Sequence, residues 1–228
     1  MNKLRAFVRL DFATVAPYFT PKNLLLCAAV MLFLLFTTSG GAFTATLPSS
    51  MGVVFAVLFV GYPFAIGEKS NMDALYVTLS LTRKTVVAGR YLFALALDAC
   101  VVAMLLALTA VSLLLTGAEA TGAAARAALA ALAGVFALAV VAQAVQMPFY
   151  FRFGYSKAKI ASLPFFIIMA LFLTLPAALT EGELAGYLSR LRDFPNIGGI
   201  TALAAASVAL IFFGSYRLSL SLYKRREF

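Results

Sequence analysis

Long apolar stretches separated by short polar islands set the layout of this chain. Six runs of mostly apolar residues can be drawn, at about 24–41, 47–66, 91–115, 127–150, 160–179 and 197–218. Each is close to the roughly 20 residues a helix needs to cross the hydrocarbon core of a bilayer. The runs are apolar on every face and bounded by charges, whereas a barrel strand alternates apolar and polar positions over a much shorter segment. The pattern predicts an all-α integral membrane protein with one transmembrane domain over residues 1–228 and six spans.

Two polar segments carry patterns of their own. In LRAFVRLDFATVAPYF, Leu4, Phe7, Val8, Phe12 and Val15 share one helical face and Lys3, Arg5 and Arg9 lie mostly away from it. Residues 3–16 are therefore expected to form an elbow helix resting in the headgroup layer, with a plain basic flank held by anionic lipid as the competing reading. Pro17 and Pro21 end that helix before the first span. In the island 67–90, GEKSNMDALYVTLSLTRKTVVAGR, Ser70 or Asn71 caps a short helix, Asp73 sits in its first turn, and Met72, Leu75, Tyr76 and Leu79 repeat at i, i+3, i+4, i+7. Thr82 caps a second helix that runs through Arg90 into the third span. The short helix suits either the lipid surface or a groove on a partner protein. Charges of both signs at Glu68, Lys69, Asp73, Arg83 and Lys84 favour the groove, with Tyr76 as the anchor.

Composition and charge sharpen this picture. Hydrophobic residues make up 63% of the 228 and charged ones 12%, against roughly half and a quarter in a soluble domain. Of 18 Lys and Arg residues, only Arg126, Arg190 and Arg192 fall on the side of the membrane opposite the termini. The positive-inside rule then places both termini and the loops 67–90 and 151–159 in the cytoplasm, and it accounts for the net charge of +9 without nucleic acid. The first apolar run is followed by no cleavage-site pattern and is expected to stay as a span. Cys27 and Cys100 fall inside spans, outside any metal-ligand spacing, and read as packing residues. His is absent, which excludes Ser-His hydrolases and His-ligated metal chemistry. No GxxxxGK[ST] phosphate loop is present, so any nucleotide that drives this protein binds to another chain. Ala127, Ala130, Gly134 and Ala137 recur at helical spacing; they mark either a close-packing face or plain alanine bias.

The series Pro63-Phe64, Glu68-Lys69, Leu75-Tyr76, Leu79, Thr82-Arg83-Lys84, Val87, Gly89-Arg90-Tyr91 resembles the small six-helix permease subunits of type-2 ATP-binding-cassette transporters. The ending Ser215-Tyr216-Arg217-Leu218-Ser219-Leu220-Ser221-Leu222-Tyr223-Lys224-Arg225-Arg226-Glu227-Phe228 is similar to that family's ending too. The family's usual Pro before the turn is Ser80 here. The resemblance implies that 71–80 is a coupling helix docking on a separate cytoplasmic ATPase through Glu68, Lys69, Asp73, Leu75, Tyr76, Leu79, Arg83, Lys84 and Arg90. It also implies two such ATPases holding ATP and Mg, a second permease subunit, identical or homologous, facing this one across the pathway, and no cofactor in this chain. Export is the direction most of that family takes, and no external binding domain is evident to deliver a solute. Spans lined by Leu, Phe, Ala and Thr suit amphipathic or hydrophobic cargo: peptides, lipids or drugs.

Asp98 lies seven residues past Tyr91 and Gln143 seven before Tyr150, which puts both about 10 Å into the membrane from the cytoplasmic side. A carboxylate there needs a partner, and Gln143 or Gln146 can supply the amide. The group is either a polar clamp between helices or a contact in the pathway. In the outer segment 180–195, Leu184, Tyr187, Leu188 and Leu191 share a face and predict a surface helix. Two other classes stay open, a self-contained secondary transporter and a non-transport membrane protein. The first would want several intramembrane charges and matching broken halves, the second, as an enzyme, a cluster of reactive groups at one depth.

Overall fold

In the computed structural model, residues 3–18, 20, 22, 25, 29, 46–70, 72, 75, 76, 81–116, 122–178 and 197–225 are described, and among these every regular element is helical. Helix α1 spans Lys3–Val15 and ends in a 3-10 turn, Ala16–Tyr18. Helices α2 and α3 span Thr46–Val60 and Tyr62–Lys69, α4 spans Arg83–Thr116, α5 spans Gly122–Ala178 and α6 spans Ile197–Lys224. Four stretches among the described residues are long and apolar enough to cross a membrane: Gly52–Lys69, Arg83–Val111, Leu132–Ala161 and Thr201–Lys224. Apart from residues 25 and 29, the predicted first span, 24–41, and the predicted surface helix in 180–195 lie outside the described residues.

Local chemistry accounts for where these helices begin and bend. The Thr82 carbonyl accepts from Val86 N–H at 3.2 Å and the Thr82 hydroxyl accepts from Thr85 N–H at 3.2 Å. The first bond is the helix's own opening i to i−4 bond, and the second is an N-cap satisfying one of the donors a helix start leaves open. Gly61 separates α2 from α3; Pro63 at the start of α3 is tolerated because the first helical donors have no intrahelical acceptor. The predicted loop at 151–159 is corrected. Both sides of it are helical, and the change of direction is confined to Gly154, at φ 76° and ψ 173°. That conformation is open to glycine and costly for any residue with a Cβ. Gly154 thus divides α5 into two limbs, 122–153 and 155–178.

The interior lies among α2, α4 and the first limb of α5, with α6 against α4 and α5 and α1 against the start of α4. On α2 the buried stripe is Val53, Ala56, Val57 and Val60, while Val54 and Leu58 face outward. The spacing i, i+3, i+4, i+7 that could not be read from an all-apolar sequence is set by these contacts. Close packing carries more of the stability than hydrophobic transfer in a bilayer, since lipid tails are as apolar as valine. Of the small residues recurring over 127–137, Ala130 and Gly134 are exposed, and a Cβ on Gly134 would meet nothing within 4 Å, so these two make no close contact within the chain. Among the described residues, the alanines buried on α5 are Ala139, Ala142, Ala144 and Ala158. Cys100 is exposed rather than packed, and Cys27 lies outside the described residues.

Candidate functional site

The Gly89-Arg90-Tyr91 sequence near the start of α4 is where the bundle is tied together, and its three residues do three different things. Gly89 faces the ring of Phe7 on α1 so closely that a Cβ there would stand 2.2 Å from a ring carbon. Any side chain at 89 would push α1 off α4. Arg90 is buried. Its Nη1 lies 3.3 Å from Asp11 Oδ1 on α1, with 4% and 3% of the two side chains exposed. Its Nη2 donates to the Tyr76 hydroxyl at 2.9 Å, and its guanidinium carbon sits 4.8 Å from the Phe64 ring centre and 5.7 Å from that of Phe7. One side chain therefore joins α1, α3, α4 and the segment that carries Tyr76. Charge pairing and stacking together offset the cost of holding a guanidinium away from water.

Tyr91 turns the other way. Its hydroxyl is 2.6 Å from Ser215 Oγ and 2.8 Å from Ser219 Oγ on α6, and Ser215 Oγ donates to the Ala144 carbonyl on α5. Since the Ser215 proton is committed to Ala144, a consistent order runs from Ser219 to Tyr91 to Ser215 to the carbonyl, each hydroxyl donating once. Ser215, Ser219 and Tyr223 are all buried at i, i+4, i+8 on α6. That spacing was visible in the sequence as a polar stripe on an otherwise apolar span.

The polar island 67–90 brings most of its predicted residues to this end of the bundle. The Glu68 carboxylate accepts from Tyr155 N–H at 2.6 Å, from Ser156 N–H at 3.1 Å and from the Ser156 hydroxyl at 2.6 Å, so it caps the second limb of α5. Lys69 and Lys84 are exposed. Met72, Leu75 and Tyr76 are helical, and Leu81 N–H bonds back to the Tyr76 carbonyl at 3.1 Å, closing that turn ahead of Thr82. Asp73 and Leu79 lie outside the described residues. Tyr76 corrects an expectation. It is 5% exposed, packed edge-on against Phe7 with ring centres 5.3 Å apart, and faces into the chain rather than out toward a partner. Among the described residues of this turn, Leu75, 42% exposed, is the one presented outward. Arg83 donates to the Lys224 carbonyl and so closes the end of α6, a favourable place for a cation.

These elements surround a cavity of about 40 Å³ lined by Phe64, Tyr76, Arg90, Tyr150, Phe151 and Tyr223, among others, roomy enough for a few water molecules. Asp11 was not singled out by the sequence pattern, although it is the sole acid before Glu68 and stands four residues after Phe7 on the same face. Burial raises its carboxyl from 3.8 to about 6, and the facing Arg90 charge and hydrogen bond oppose that rise.

Deeper in the bundle, Gln143 Nε2 donates to Asp98 Oδ1 at 2.6 Å, joining α5 to α4. Gln146 donates instead to the Tyr150 hydroxyl one turn along α5. Asp98 Oδ2 and the Gln143 and Gln146 carbonyl oxygens are buried with no hydrogen-bond partner among the described residues. The Asp98–Gln143 hydrogen bond thus ties α4 to α5 and leaves acceptor atoms to spare.

A family model described as "ABC-2 family transporter protein" matches residues 8–224, nearly the whole chain. Searches of curated proteins and of solved structures matched nothing.

Proposed function

The chain belongs to the ABC-2 family of transporter proteins, as the multi-pass permease subunit that works with a separate ABC ATPase, and we propose that it is half of the membrane pathway of an exporter. The observation that carries this reading is the bond from Arg90 to Tyr76. The turn that includes Leu75 is fastened through a buried guanidinium to α4, which continues without a break from Arg83 to Thr116. Force applied at such a turn reaches the membrane interior instead of being lost in a slack loop.

In this reading Leu75, Lys69 and Lys84 meet a groove on the ATPase, while Tyr76 and Arg90 stay inside and transmit. Both termini and the 67–90 segment face the cytoplasm of a cell membrane, as the charge distribution favours. Spans this few enclose no pathway by themselves, so two permease chains face one another, each with its own ATPase. ATP draws the ATPases together and shifts the pair of permeases between two packings as a rigid-body or hinge motion. The apolar spans suit an amphipathic or hydrophobic cargo.

The test is copurification of the full chain from detergent, followed by reconstitution. A phosphate-loop ATPase should copurify, and inverted vesicles should accumulate an amphipathic fluorescent dye or peptide only with hydrolysable ATP. Recovery of the chain without any ATPase would overturn the assignment to a two-component pump. Accumulation driven by an ion gradient alone would do the same.

A further inference from the structure

The exposed carboxylate of Glu68 accepts three hydrogen bonds from a segment nearly ninety residues away. Glu68 sits in the last turn of α3, immediately before the Leu75–Tyr76 turn. Its acceptors face the first two free N–H groups of the limb 155–178, which the break at Gly154 leaves without intrahelical partners. A negative charge at that end also meets the positive pole of the helix dipole. The bonds are charge-assisted and two-pronged, so they fix direction as well as distance.

We infer that Glu68 is a positioning residue that joins the coupling segment to the second limb of α5, so that this limb moves with the segment as one body. This rests on the permease reading and adds a second output to it. The Arg90–Tyr76 bond carries displacement into α4, and the Glu68 clamp carries the same displacement into the following span across the Gly154 hinge. A single glycine in a left-handed conformation leaves the limb free to swivel relative to 122–153; Glu68 removes that freedom on one side and hands it to the coupling segment. The contact is not a docking contact with the ATPase, since its carboxylate oxygens are committed within the chain.

The experiment uses the full chain, copurified with its ATPase in lipid nanodiscs, with Cys27→Ala and Cys100→Ala as background and nitroxides at Ser70→Cys and Lys159→Cys on either side of the clamp. Dipolar broadening between the labels is read without nucleotide and with ATP and vanadate. With Glu68 present, a narrow separation that is the same in both states is expected. Glu68→Ala should widen the distribution already without nucleotide and make it differ between the states, while Glu68→Gln, which keeps an acceptor oxygen, should fall between the two. A separation that changes between states with Glu68 intact overturns the proposal, as does a narrow, unchanged one in Glu68→Ala. The nucleotide-free comparison of Glu68 with Glu68→Ala needs no ATPase. Failure to recover an ATPase therefore strikes the permease reading, and failure of the clamp shows separately.

Discussion

Arg90 on α4 and Asp11 on α1 form an ion pair at 3.3 Å that is almost wholly shielded from solvent, and Arg90 uses its second terminal nitrogen, Nη2, to hold Tyr76. The pair and this bond together tie α1 and the Leu75–Tyr76 turn to one point on α4. Its energetics are asymmetric, because a buried pair contributes little net stability when complete and costs much when one partner is missing.

Arg90→Ala leaves Asp11 buried without its countercharge and should cost about 3–5 kcal/mol. Asp11→Asn keeps the shape and should cost less. Detergent-extracted monodisperse yield and melting temperature measure both. An Arg90→Ala chain as stable as the parent would mean that α1 is not held by this contact. Arg90→Lys should rescue poorly, since an ammonium cannot reach Asp11 and Tyr76 with a planar fork while stacking on Phe64.

The Asp11 carboxyl gives a pH dependence with a definite sign. Its folded-state value, about 6, stands above the ordinary 3.8, so the folded chain binds its proton more tightly than the unfolded one. The group favours the fold fully below 3.8, and that contribution is lost as pH rises through about 6. The ion pair itself is complete only above 6. Coupling of hydrolysis to transport should therefore weaken as pH falls from 7.5 to 5, with an apparent midpoint near 6. The midpoint should vanish in Asp11→Asn, and its persistence there would assign it to another group.

Tyr76→Phe keeps the edge contact with Phe7 and removes the hydroxyl that Arg90 uses, a loss of about 1.5–3 kcal/mol for a bond to a charged group. ATPase binding should stay near the parental level while transport per ATP hydrolysed falls. Leu75→Asp changes the outward face instead and should weaken copurification of the ATPase. If the two phenotypes came out reversed, Tyr76 would be the docking residue and its inward packing would belong to the resting state alone.

Asp98→Asn retains size and hydrogen bonding, whereas Asp98→Leu leaves Gln143 buried without a partner. As a clamp, the site should tolerate Asn and lose folded yield with Leu. An Asn variant that assembles normally with its ATPase but transports nothing would put Asp98 in the pathway.

In a chain freed of Cys27 and Cys100, single cysteines at Ser70 and Lys157 should resist an impermeant thiol reagent applied to intact cells, and cysteines at Ser49 and Glu183 should react. Labelling of Ser70 from outside would reverse the orientation drawn from the Lys and Arg distribution.

The sequence by itself determined the features that depend on neighbours along the chain. Spans are readable because the bilayer demands a fixed apolar length, and the start of α4 at Thr82 is readable because a cap is made within three residues. The end of α1 near Pro17 is legible for the same reason. Partners far apart in the chain were decided by the tertiary structure. Nothing local says that Glu68 will cap a helix at Tyr155, that Arg83 will close α6 at Lys224, or that Tyr76 faces Arg90 instead of a partner protein. On helices that are apolar all round, periodicity carries no inward direction. The choice falls to the few polar groups that must find one another away from water, and their match in depth and angle exists only once the helices are packed.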